Sequence, residues 1–130
     1  MVNSELTDFQ GIFDSIKKLL AKYAPPLVQG NVKTTKQQYH LWSKDKVSIE
    51  KRKPKQVYFA GIIIQKNFVG FYFMPVYSDT KLVDFFEPEL LSLLKGKSCF
   101  HIKKLDVKTK GQIDRALKLG FREYKKRKWI

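Results

Sequence analysis

A chain of 130 residues, 43% hydrophobic and 14% aromatic, can bury the core of one domain without a disulfide or a metal staple. Its one cysteine, Cys99, excludes an intrachain disulfide. The formal net charge of +14 is concentrated in two stretches, net +6 over residues 33–56 and net +10 over residues 95–130. Of the 26 cations 22 are lysine, which suits a solvated surface or a weak polyanion site better than bidentate recognition by arginine.

The first thirty residues lack the basic start, apolar run and small-residue cleavage site of a secretory leader. No apolar run approaches the ~20 residues that a membrane-spanning helix needs. The expectation is a cytoplasmic protein with no membrane partner.

In chain order, the first predicted element is a helix. Phe9, Ile12, Phe13, Ile16, Leu19, Leu20 and Tyr23 recur at steps of three and four, with Thr7 and Gln10 as a capping box and Pro25-Pro26 as the stop. Strand chemistry follows: Tyr39–Ser43, Val47–Lys51, then Val57–Gln65 and Phe68–Met74 as a hairpin closed at Lys66-Asn67. Pairing Gln65 with Phe68 puts Ile64, Val69, Ile62, Phe71, Ala60 and Phe73 on one face. The other face then receives Ile63, Gly70, Gly61, Tyr72, Phe59 and Met74. Both faces are largely apolar, so these strands are expected in the middle of a sheet covered on both sides, at least in part.

Thr80–Phe86 and Pro88–Leu94 read as one broken or two short helices, Gly96 as a stop, and Ser98–Lys104 as a strand. A last helix opens at a second capping box, Thr109 with Gln112, and buries Ile113, Leu117, Gly120/Phe121 and Tyr124. Strands in the middle with helices at the ends predict an α+β fold, a single antiparallel sheet of about 4–6 strands packed on helices. The whole chain, residues 1–130, reads as one domain.

The chemistry is sparse. Cys99 and His101 share a strand face, but His40 is the only other histidine, too few for the three or four ligands a zinc site takes. No nucleophile motif and no phosphate-binding glycine loop is present. Glu87 and Glu89 fall at a helix start, where acids suit the dipole. No catalytic residue, metal ligand or cofactor is therefore expected. What stands out is the Gly61/Gly70 strip, since glycine inside a strand marks a close approach of backbone or ligand. It is either a shallow cleft bounded by Phe59, Gly61, Phe68, Gly70, Tyr72 and Trp42, or a seat for a packed helix. The polyanion candidates are Lys51, Arg52, Lys53, Lys118, Arg122, Lys125, Lys126 and Arg127.

The segment Tyr58 to Pro75, the stretch Leu94 to Lys103 with the closing helix, and the first helix ending in Ala24-Pro25-Pro26 together resemble the YdhG-like family of small bacterial domains. That resemblance implies an α+β fold with an antiparallel sheet and says little of function. One branch is described as frataxin-like with an iron-chaperone role, which would need clustered carboxylates. The first helix here offers only Glu5, Asp8 and Asp14, diluted by Lys17, Lys18 and Lys22, and a charge of +14 repels iron. The leading expectation is a non-enzymatic binding or accessory domain of unidentified ligand. Weak binding of nucleic acid or another polyanion through residues 33–56 and 110–128 is the alternative.

Overall fold

The computed structural model describes residues 7–29, 33–48, 53–75, 86–96 and 98–130. Helix α1 spans Phe9–Ala21 and buries Ile12, Phe13, Ile16, Leu19 and Leu20, the stripe its apolar spacing predicts. Its cap lies one residue beyond the predicted box. Asp8, in extended backbone, accepts the Gly11 N–H at 2.8 Å, while Gln10 reaches the Asp14 carboxylate and the Lys36 carbonyl. The helix ends at Ala21, four residues short of the prolines.

The sheet is antiparallel and five-stranded, with order β1-β2-β3-β5-β4: β1 Gln38–Trp42, β2 Tyr58–Ile64, β3 Val69–Phe73, β4 Leu94–Lys95 and β5 Cys99–Ile102. The β2–β3 hairpin has the predicted register, Ile64 opposite Val69 and Ala60 opposite Phe73, and the Gln65 N–H donates to the Phe68 carbonyl at 2.8 Å. The predicted strand over Val47–Lys51 is reduced, among the described residues, to one bridge between Val47 and Lys55; residues 49–51 lie outside them. Residues 80–85 of the predicted Thr80–Phe86 helix also lie outside them, and helix α2 covers only Pro88–Leu91, with its proline in the first turn. Two-residue β4, too short to leave a periodic signal, turns into β5 through Gly96, whose φ of +77° suits glycine.

Helix α3 spans Val107–Lys126. Its cap is Asp106, whose carboxylate accepts the Thr109 N–H at 2.7 Å, not the predicted Thr109–Gln112 box. The acid three residues upstream occupies the position from which a side chain reaches that donor, and Gln112 is buried. Both long helices pack on the same face of the sheet. Gly120 brings α3 so close that a Cβ there would stand 2.5 Å from Phe73 Cζ and 2.8 Å from Pro75 Cγ. Tyr124, fully buried, donates its hydroxyl to the Tyr58 carbonyl at 2.7 Å and pins the last turns of α3 to β2. The apolar core fills this one layer between helices and sheet. The expectation of cover on both faces is thereby corrected: among the described residues no helix lies on the opposite face.

Candidate functional site

A bulge decides what the helix-free face carries. Leu41 pairs with Ala60, but Trp42 pairs with Tyr58, so Phe59 is an extra residue in β2 and alternation breaks there. Phe59 turns into the helix layer, where its ring meets Tyr23, Phe73, Phe121 and Tyr124. Tyr58 turns the other way. Phe59 is therefore moved from the Gly61/Gly70 face, where strict alternation places it, to the opposite one.

On the helix-free face β1 contributes Gln38, His40 and Trp42, opposite Ile63, Gly61 and Tyr58 of β2. Gly70 and Tyr72 follow on β3, opposite His101 and Cys99 of β5. The two glycines are roofed by tyrosines, not by a helix. A Cβ on Gly61 would fall where the Tyr58 hydroxyl and His40 Nδ1 lie, and one on Gly70 would stand 3.0 Å from the Tyr72 ring and hydroxyl. To reach these positions both tyrosine side chains must run along their strands, which glycine alone permits. The strip is neither an empty cleft nor a helix seat.

Hydrogen bonds hold the rings down. His40 Nδ1 and the Tyr58 hydroxyl are 2.7 Å apart, His40 Nε2 and Gln38 Oε1 3.2 Å, and Gln65 Nε2 donates to the Tyr72 hydroxyl at 3.0 Å. Trp42 meets the edge of Tyr58 at 4.9 Å, and Phe68 stacks on His101 at 3.7 Å with the planes 9° from parallel. Trp42 Nε1 is buried and finds no acceptor among the described residues.

The electrostatics argue against a nucleophile here. Burial, with the neighbouring Tyr72 and Cys99, pushes the Tyr58 hydroxyl far above the ordinary tyrosine range. Burial also raises the Cys99 thiol, only partly opposed by the Tyr72 hydroxyl, and lowers His40 below the ordinary histidine value. Thiol and imidazole are thus biased to their neutral forms. Cys99 and His101 share the face as expected, but His101 is engaged with Phe68. Among the described residues no group of three or more His, Cys, Asp or Glu is placed to hold a metal ion.

Of the cleft candidates, Gly61, Gly70, Tyr72 and Trp42 thus lie on one face, with Phe68 beside them, and Phe59 does not. His40 and Tyr58, central to the site, were not among them. The signal for His40 was its register opposite Gly61; the bulge that turns Tyr58 onto this face leaves none.

The basic candidates do not form one patch. Lys51 and Arg52 lie outside the described residues. Lys53 is exposed ahead of β2. Lys118, Arg122, Lys125, Lys126 and Arg127 all sit on or at the end of α3, on the helical side. Several cations there are engaged: Lys118 and Lys22 with Asp114, Arg115 with Glu87, Lys108 with Glu89, and Arg127 with Glu123. Lys125 lies over the Phe121 ring.

These features define the class: a two-layer α+β domain with its helices on one face of an open antiparallel sheet and a polar-aromatic surface on the other. No family model, no curated protein and no solved structure matches the chain. No helix among the described residues is long and apolar enough to cross a membrane.

Proposed function

We propose that this chain is a non-enzymatic binding domain that meets its ligand on the helix-free sheet face. The observation that supports this most is the pair of tyrosines laid over Gly61 and Gly70. Two central glycines cost strand stability, and here the lost packing is replaced by aromatic rings held in place by hydrogen bonds to His40 and Gln65. A fold-only role for that face would be served by ordinary aliphatic residues. Burial that raises the Cys99 thiol disfavours a thiolate nucleophile on this face, which supports binding over turnover. The YdhG-like resemblance and a cytoplasmic location agree with this reading, and the basic charge keeps an iron-chaperone role disfavoured.

The test is an NMR titration of the whole chain with a set of planar aromatic and anionic fragments. Shifts are expected at the Gly61, Gly70 and Tyr72 amides and at the Trp42 indole. Shifts confined to α1 or α3 would refute the proposal.

A further inference from the structure

Both ends of the same sheet carry exposed lysines. β1 begins, β2 ends, β3 begins and β5 ends at one edge, because Gln38 pairs with Ile63, Ile64 with Val69 and Val69 with Ile102. Lys36, Lys66 and Lys103 stand in the connections at that edge, all exposed. At the other edge, beyond Trp42 and ahead of Tyr58, Lys44, Lys46, Lys53 and Lys55 are exposed around the Val47–Lys55 bridge, with Asp45 the one acid among the described residues there. None of these seven lysines has a carboxylate partner among the described residues, whereas Lys22, Lys108, Arg115, Lys118 and Arg127 on the helical side each have one. Between the two sets lies a strand length of about 20 Å.

Resting on the binding-face reading above, we propose that the ligand of this face is single-stranded nucleic acid, with bases stacked on Tyr72 and on the Phe68–His101 pair and phosphates met by the lysines at both edges. The chemistry fits on three counts. A ring lying along a strand over glycine offers a π-face that any base can cover, as does the outer side of a stacked pair. Lysine, a mobile point charge, suits a flexible phosphate chain without a fixed sequence. A duplex hides its bases in the stack and gains only the charge term, which makes the single strand the preferred form.

The test measures anisotropy of fluorescein-labelled oligouridine and oligothymidine of about ten nucleotides, beside a duplex of equal length and a heparin fragment, from about 50 mM salt upward. Single strands should bind at least about tenfold more tightly than the duplex, and RNA against DNA distinguishes the two sources of the same chemistry. Phe68→Leu and Tyr72→Leu should each weaken binding about five- to tenfold, while Tyr72→Phe, which keeps the ring, should bind like the parent. Lys36→Gln with Lys66→Gln should weaken every single strand alike and flatten the salt dependence by about two contacts, and Arg122→Gln with Lys126→Gln on α3 should change nothing. Circular dichroism checks that each variant is folded. Equal affinity for heparin and single strand, unmoved by Phe68→Leu, would reduce the effect to charge and overturn the inference. So would a failure of both oligonucleotides to bind at low salt. If fragments still shift the sheet face in either case, the binding-face reading survives; if an oligonucleotide shifts α3 alone, both fall.

Discussion

Replacing Phe59 by alanine should cost the domain about 3–5 kcal/mol, the usual range for emptying a fully buried phenylalanine site. The ring is wholly buried and lies edge-on to Phe73, Phe121 and Tyr124 at 5.3–6.2 Å, with Tyr23 tilted beside it. It joins β2, β3, α3 and the turn that follows α1, so no single neighbour can move in without loosening another. For a chain of this length the loss corresponds to a fall in Tm on the order of 10–20 °C. Thermal unfolding by circular dichroism reads it directly. A fall of only a few degrees would mean that Phe59 faces the other side of the sheet, as strict alternation places it, and that the bulge at Trp42 is absent.

Gly61→Ala should destabilise by about 2 kcal/mol, although alanine is ordinarily the better strand residue by roughly 0.5–1 kcal/mol. The new methyl group competes with the Tyr58 hydroxyl and His40 Nδ1 for one space and stands 2.9 Å from the Tyr39 carbonyl oxygen, so side chains and the β1–β2 spacing must both give way. The substitution also has a signature in pH. Burial lowers the His40 pKa, so between its folded and unfolded values the unfolded chain binds the extra proton. The parent is then most stable above the ordinary histidine value of about 6.5 and loses stability as the pH falls below it. In Gly61→Ala, with His40 pushed toward water, that acid-side decline should shrink. Urea unfolding of both proteins at about pH 7.5 and pH 5 measures the pair of effects. Unchanged stability with an unchanged pH profile would place neither Tyr58 nor His40 over Gly61.

The parts of the fold legible in the sequence were those with a strong local period. The five buried residues of the α1 stripe, the Lys66-Asn67 turn and the register of β2 on β3 follow from spacing alone. The caps were misread by one and three residues, because Asp8 and Asp106 take the capping positions from the Thr7 and Thr109 boxes. The site was half legible. Gly61 and Gly70 marked the strip, but glycine announces only that something comes close, and here that something is the chain's own Tyr58 and Tyr72. The bulge was invisible. Tyr58-Phe59 is an aromatic pair whose order gives no hint that an extra residue interrupts alternation, and the choice of face is made by Phe59 entering the helix layer while the Tyr58 hydroxyl finds His40. The basic segments looked alike in composition, yet tertiary placement put α3 on the helical side and the described lysines of 33–56 around the edge strand.

Hydroxyl-radical footprinting of the free chain, read residue by residue by mass spectrometry, asks most simply which side of the sheet meets solvent. Tyr72, Phe68 and Trp42 should be modified readily, and Phe59, Phe73, Phe100 and Tyr124 should be protected until the protein unfolds. Protection of Tyr72 and Phe68 to the level of Phe59 would mean that their face is closed, and the binding surface argued from it would not exist.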